Sequence, residues 1–232
     1  MRGFATATMA NLALSHGDSR ASGLDCFARP RAIDRECFGD MPEIIGLILA
    51  AGRGTRFDPT GQRNKLLAAL PDGRTVLRAS CANLLPWVDR LVVVTGAHGA
   101  PLRTALADLP LGWVESDRVD LGMGASLKAG VGATDPTAGW LFALGDMPYV
   151  TPDTLCTMRD ALRAGIRLAR PEYGGQPGHP VACAAALRQA LLQLPDEAGV
   201  AALARRDPAL MSSIAVDDAG CVRDVDVPAD LG

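Results

Sequence analysis

The stretch Ile44-Ile45-Gly46-Leu47-Ile48-Leu49-Ala50-Ala51-Gly52-Arg53-Gly54-Thr55-Arg56 decides how the rest of the chain is read. It opens as a short apolar run with three isoleucines and ends in small residues and two glycines. A run of this kind, too short for an ordinary helix and bounded by turn formers, is the pattern of a strand over Ile44–Ala50 that is buried on both faces. Such strands belong in parallel sheets covered by helices. The strand feeds directly into a glycine loop, where the missing Cβ atoms let backbone N–H groups come close to an anion. The plainer alternative is a tight connection. The loop is neither a Walker A sequence nor the dinucleotide fingerprint G-x-G-x-x-G.

Outward from this stretch the alternation of strand and helix continues. A helix is expected over Arg74–Leu85, stopped by Pro86, and a second buried strand over Arg90–Thr95. A short helix over Pro101–Leu109 and a short strand over Gly112–Glu115 follow. Gly122–Ala133 reads as a glycine loop running into a helix, and Trp140–Leu144 as a third apolar strand. Thr151 as N-cap and Pro152 in the first turn open a helix to about Arg163. Strands over Ile166–Ala169 and His179–Cys183 flank the turn-rich Glu172–Gly178. Helices over Ala185–Leu194 and Ala198–Arg205, and two short strands about Gly220 within Ile214–Asp226, complete the expectation. The fold class is α/β, Rossmann-like, with a mostly parallel sheet and helices on both faces, spanning residues 42–232. Residues 1–41 carry no sustained period and read as a flexible N-terminal tail or an upstream extension.

Composition narrows the classes of partner. At 232 residues, 48% hydrophobic and 21% charged, the chain has globular proportions rather than those of a wholly disordered one. A formal charge of -3 leaves no global basic field for gripping nucleic acid. No apolar segment approaches the roughly 20 residues of a membrane span. Six cysteines, none in a C-x-x-C pair, favour free thiols in a reducing cytoplasm over a disulfide framework or a zinc cluster. The basic residues are almost all arginine: only Lys65 and Lys128 are lysine. Coding bias accounts for most of that. Yet an ammonium is a compact point charge and a guanidinium a planar fork, so the two lysine positions stand out.

In open parallel sheets, ligands bind beyond the carboxyl ends of the strands. Arg56, at the end of the glycine loop, can clamp a terminal phosphate through two hydrogen bonds. Asn64-Lys65-Leu66-Leu67 follows and supplies the compact charge. At the next strand end, Gly145-Asp146-Met147-Pro148 presents a carboxylate suited to Mg²⁺, although a turn or capping aspartate is the plainer reading of that residue alone. A later acidic stretch, Asp224-Val225-Asp226-Val227-Pro228, can return to the same cleft. Alternation puts Asp224 and Asp226 on one face of a strand and does not choose between them. Lys128 reads as a solvated helix lysine rather than a ligand contact, and Asp196-Glu197 as a cap for the next helix rather than the lining of a ligand site.

In this order, Leu49–Arg56, Asn64–Leu67, Gly122–Leu127, Leu144–Pro148, Gly178–Val181 and Asp224–Pro228 resemble the motifs of the MobA-like NTP transferase family. The Leu-Ala-Ala-Gly form looks most like its molybdenum cofactor cytidylyltransferases. The resemblance covers essentially Pro42–Gly232. There are two departures: a longer link, Phe57–Arg63, and Pro177 where the family often has arginine.

The resemblance implies a Mg²⁺-dependent nucleotidyltransferase that moves a nucleoside monophosphate, with CMP from CTP expected, to a phosphorylated acceptor of molybdopterin type. Pyrophosphate is released. It implies Lys65 at the α-phosphate and Arg56 on the leaving phosphates as catalytic groups. Leu49, Ala50, Ala51, Gly52, Gly54, Gly122 and Ser126 join them in holding the nucleotide. Asp146 and Asp226 are the implied Mg²⁺ ligands, and Gln176 and His179 the acceptor-binding residues; a structural histidine is the alternative at position 179. Expected partners are the NTP, the acceptor, and a molybdoenzyme or its chaperone, with no nucleic acid and no membrane. Transfer to a phosphosugar or another small phosphorylated acceptor is the alternative within enzymes. A non-catalytic module that delivers a cofactor is the alternative from another class.

Overall fold

The isoleucines that opened the sequence lie at the centre of a sheet, with Ile44, Ile45 and Ile48 all at most 1% exposed. The computed structural model describes residues 42–232 except Arg53, His98, Val119 and Asp120, so the expectation for residues 1–41 lies outside the described residues. In chain order the elements are β1 (Ile44–Leu49), α1 (Val76–Leu84), β2 (Arg90–Thr95), α2 (Ala100–Ala105), β3 (Leu111–Glu115), α3 (Met123–Gly132) and β4 (Gly139–Leu144). They continue as α4 (Pro152–Arg163), β5 (Leu168–Tyr173), β6 (Gln176–Pro177), β7 (Val181–Ala184), α5 (Arg188–Leu192), α6 (Leu203–Arg206) and β8 (Met211–Ala215).

The sheet order is β3-β2-β1-β4-β7-β5-β6, with β8 paired to β5. β1 is parallel to both β2 and β4, and β2 to β3, while β7 runs antiparallel to β4 and β5. Successive side chains of a strand point to opposite faces, and the two faces carry separate cores. Ile44, Ile48, Val93 and Leu141 pack with Leu77 and Leu84 of α1 and with Leu155 and Met158 of α4. Ile45, Leu47, Val94 and Trp140 pack with Leu127 and Val131 of α3 and with Leu191 of α5. Helices therefore cover both faces, as the sequence predicts. Buried Trp140 spends its one polar atom on Thr134, Nε1 to Oγ1 at 2.9 Å. Among the described residues no helix is long and apolar enough to cross a membrane.

The second half departs from the expected elements. Glu172–Gly178 is not simply a turn: β5 runs on to Tyr173, and Gly174 and Gly175, both at positive φ, reverse the chain into β6. The strand expected over His179–Cys183 begins later, at Val181. Of the two short strands expected within Ile214–Asp226, the first lies earlier, as β8, and the second is absent. β8 ends at Ala215, and Asp218 caps a 3₁₀ turn over Ala219–Val222 by accepting from Gly220 N at 2.9 Å. The same carboxylate accepts from Thr151 N and Oγ1, each at 2.9 Å, so side-chain bonds here replace a ladder. Residue 151 is the N-cap of α4 as expected, but its hydroxyl serves Asp218 rather than the helix.

Residues 194–198 are strapped onto α3 instead of opening a helix. The Asp196 carbonyl accepts from Ala125 N at 2.9 Å, satisfying an amide of the first turn of α3. Lys128 donates to Leu194 O at 2.8 Å and ion-pairs with Asp196, which also takes Arg118 at 3.0 Å. Lys128 is thus a half-buried clamp, not a solvated helix lysine. Asp196 is its counter-ion, not a cap. The helix expected over Ala198–Arg205 shrinks to a 3₁₀ turn over Val200–Ala202 and the short α6.

The strap is close enough to test. A Cβ on Gly124 would lie 2.3 Å from Pro195 O and 2.6 Å from Ala198 O, both backbone atoms. Gly124→Val is expected to lower stability by about 1–3 kcal/mol. A urea titration checks this, and an unchanged midpoint would show that the strap yields freely.

Candidate active site

Asn64 explains why Lys65 points inward. Its Oδ1 accepts from Leu66 N at 3.0 Å and starts the 3₁₀ turn Lys65–Leu67, which buries Leu66 and turns the lysine stem toward the glycine loop. The stem lies against Gly54, held at φ 62°, where a Cβ would come within 3.3 Å of Lys65 Cγ. Lys65 is only 9% exposed. Its Nζ donates to Asp146 Oδ2 at 2.6 Å and to Asp226 Oδ1 at 3.3 Å. Burial opposes the ammonium charge, but the hydrogen bonds and attraction of Asp146 and Asp226 outweigh it, so the pKa sits above the ordinary lysine value.

The two carboxylates come from distant parts of the chain. Asp146 follows β4, whose end is tied to β1 by Gly145 N donating to Leu49 O at 3.0 Å. Val225 N donates to Asp146 O at 2.8 Å, and the fully buried Val225 side chain anchors the segment between Asp224 and Asp226. Asp230 Oδ2 accepts from Asp226 N and Val227 N, each at 2.8 Å. The Asp230 carbonyl takes Tyr149 Oη at 2.9 Å and Arg223 Nη2 at 3.1 Å, and the Arg223 guanidinium lies 4.2 Å above the Tyr149 ring. Exposed Arg56 closes the group by pairing with Asp226.

Oxygens of Asp146, Asp224 and Asp226 all lie within 4.8 Å of one another. Hard oxygen donors in that number fit Mg²⁺, which takes one or two carboxylates and completes its shell with water and phosphate oxygens. The extended chain over 223–227 presents both late aspartates to Asp146, so the choice left open by alternation is between near neighbours.

Two cavities flank β1. The larger, about 570 Å³, opens at the carboxyl ends of β1, β2 and β3 and is lined by Ala50, Ala51, Gly52, Asn64, Thr95 and Ser116, among others. The smaller, about 210 Å³, lies on the β4 and β7 side and includes Leu49, Met123, Phe142, Leu144 and His179. Burial pushes the His179 pKa down against the opposing pull of the Phe142 backbone, Asp146 and Asp224, and Nδ1 is buried without a hydrogen-bond partner.

Ala50, Ala51 and Gly52 therefore line the larger cleft, while Leu49, one residue earlier, faces the smaller cavity. Gly122 packs on the backbone of Asp196 and Glu197, and Ser126 is buried; neither lines the larger cleft. Gln176 is exposed on the β6 hairpin, and His179 is at the smaller cavity. Sequence reasoning missed Thr95, Ser116 and Asp117 in the larger cleft. The buried Thr95 hydroxyl has no partner and lies where a Cβ on Gly99 would clash. All three sit at strand carboxyl ends, the one signal that marks them.

The family model for the MobA-like NTP transferase domain matches residues 46–210. The molybdenum cofactor cytidylyltransferase of Escherichia coli (strain K12) is 28% identical, with 82% of this chain and 95% of that protein covered. Nicotine blue oxidoreductase of Paenarthrobacter nicotinovorans is 31% identical, with 81% and 94% covered. The match to bifunctional protein GlmU of Psychrobacter sp. (strain PRwf-1), 32% identical, takes in 53% of this chain and 26% of that protein. Among solved structures, Rv0371c from Mycobacterium tuberculosis H37Rv superimposes with a TM-score of 0.71 at 28% identity, covering 83% of this chain and 96% of its own.

Asp230 is expected to hold the acidic segment in register. Bonds from Val227 and Asp226 keep its carboxyl below the usual carboxylate range. Its stabilising effect is thus present at neutral pH and lost as the pH falls through that lowered value. In Asp230→Ala, hydrogen exchange at the Asp226 and Val227 amides should accelerate at pH 7 while the β1 amides stay protected. Equal protection in both proteins would show that the turn holds without it.

Proposed function

Since the chain belongs to the MobA-like NTP transferase family, we propose that it transfers CMP from CTP to a phosphorylated acceptor of molybdopterin type and releases pyrophosphate. The observation that carries this reading is the buried Lys65 ammonium held between Asp146 and Asp226 at the end of β4, next to a glycine loop. A carrier that only delivers a cofactor has no use for a cation and convergent carboxylates beside a cleft of about 570 Å³.

Phosphoryl and nucleotidyl transfer ask the protein for positioning and charge neutralisation rather than covalent help. In the proposed reaction an acceptor phosphate oxygen attacks the α-phosphorus of CTP, and the bond to the β-phosphate breaks. The Gly52 and Gly54 backbone and Arg56 hold the departing phosphates, and Lys65 faces the α-phosphate where charge develops. Before substrate arrives, Lys65 keeps Asp146 and Asp226 from repelling each other apart. Asp146 and Asp226, with Asp224 beside them, are the residues that would hold Mg²⁺, which when bound neutralises phosphate charge.

CTP is favoured by the Leu49-Ala50-Ala51-Gly52 sequence and by the similarity to a cytidylyltransferase over nearly its whole length. The apolar lining of the smaller cavity favours a molybdopterin-type acceptor over a phosphosugar, whose ring of hydroxyls would find few partners there. Among the described residues the buried Cys81, Cys183 and Cys221 are free thiols, which supports a reducing cytoplasm.

Pyrophosphate release from CTP with Mg²⁺ and molybdopterin is expected to fall by about 10²-fold or more in Asp146→Asn and in Lys65→Ala. Near-normal release by Asp146→Asn would defeat the reading. Lys65→Arg should also be strongly impaired, because a planar guanidinium does not fit a slot shaped for an ammonium. For base choice, CTP is expected to raise the melting temperature where GTP does not. Stabilisation by GTP alone would reverse the assignment.

A further inference from the structure

The long link Phe57–Arg63 lies outside the motifs that the chain shares with its family, yet it is an ordered part of the cleft. Phe57 N donates to Gly54 O at 2.9 Å, which ties the start of the link to the glycine loop. The Phe57 side chain is buried in the core. One carboxylate gathers the rest. Asp58 accepts from Thr60 N at 2.9 Å, from Thr60 Oγ1 at 2.7 Å and from Arg63 N at 2.7 Å. An aspartate that takes several nearby donors in this way fixes a turn without help from a helix or a ladder. Gly61, Gln62, Arg63 and Asn64 then stand as one side of the larger cleft, which Gly52 also lines.

Arg63 is the one cationic side chain among the described residues that line this cleft. Its guanidinium lies over the Phe57 ring, 5.3 Å from the centroid. An aromatic face holds a guanidinium in place and leaves its N–H donors for another partner. Lys65 and Arg56 both spend their charge on the acidic cluster. Among the described residues no carboxylate pairs with Arg63. A positioned cation without a counter-ion, beside a glycine loop, is complementary to a polyanion.

We propose that Arg63 is a further substrate-binding residue, whose guanidinium takes the β- and γ-phosphates of the nucleotide through paired hydrogen bonds. The inference deepens the nucleotidyl-transfer reading and rests on it for the identity of the polyphosphate. In that reaction the phosphates beside Gly52 depart as pyrophosphate. Arg63 therefore binds the product as well as the substrate, and has no hold on a nucleoside monophosphate.

The test titrates the full chain by calorimetry, with Mg²⁺, against the four NTPs, the monophosphate of the tightest of them, and inorganic pyrophosphate. Arg63→Ala should weaken the triphosphate and pyrophosphate by about tenfold or more. The monophosphate should bind as it does to the wild type, which also shows that the variant is folded. Arg63→Glu should weaken the first two ligands further, by repulsion. Arg63→Lys keeps the charge but loses the fork, and should fall between the wild type and Arg63→Ala. Asp58→Ala loosens the turn and leaves the guanidinium in the chain, so it should shift the same two ligands in the same direction by less.

Should Arg63→Ala not fold, Arg63→Gln, which keeps a long stem, carries the same expectations. A monophosphate weakened as much as the triphosphate would put Arg63 at the base or ribose and overturn the assignment. Unchanged triphosphate and pyrophosphate affinities in the Arg63 variants, or no binding of either ligand by the wild type, would overturn it as well. Pyrophosphate binding that depends on Arg63, in a chain that releases no pyrophosphate from any NTP, would instead remove the nucleotidyl-transfer reading and leave the anion contact standing.

Discussion

Everything at the candidate site depends on one buried charge and its two partners. A lysine as enclosed as Lys65 would be too costly to keep ionised alone, and two carboxylates as close as Asp146 and Asp226 would drive each other apart. Together each removes the penalty of the other. The two carboxylates come from segments 81 and 161 residues away from the lysine. The constraint therefore reaches across the whole sheet: β1 must lie beside β4, and the last segment must return under the β4 tip for the triad to exist at all.

The reversal of strand direction at β7 gives the site its second half. Parallel strands β1, β2 and β3 send their carboxyl ends to the same rim, and the larger cleft opens there. β7 enters antiparallel against β4 and so brings the residues before it, His179 among them, to the same rim on the other side. A fully parallel sheet would have placed a helix N-terminus at that point and left no histidine facing the acidic cluster.

The first half of this arrangement was legible because its signals are local. Ile44–Leu49, Leu91–Val94 and Trp140–Leu144 are buried runs that need no partner to be recognised, and Gly145-Asp146 sits directly beyond one of them. The second half depends on pairing between distant residues. The β5–β6 hairpin follows from two glycines at positive φ, and the loss of the second late strand follows from Asp218 bonding to Thr151, 67 residues away. Lys128 was misread for the same reason, since its partners, Leu194 and Asp196, lie on a strap that no periodicity announces. Thr95, Ser116 and Asp117 are small polar residues without a motif, visible only once the strand ends are known.

The partition of the rim between Leu49 and Ala50 has a thermodynamic meaning. Leu49 lines the smaller cavity and Ala50 the larger, so the two chambers approach each other at the peptide unit that joins these residues. That unit is also fixed on both sides, by Ala50 N on Val94 O and by Leu49 O on Gly145 N. A ligand that shifts it in one chamber changes the shape of the other. Any coupling between occupants of the two chambers would be reciprocal, each changing the other's affinity by the same factor. Among the described residues, the β1 exit is thus the one stretch of backbone that borders both chambers.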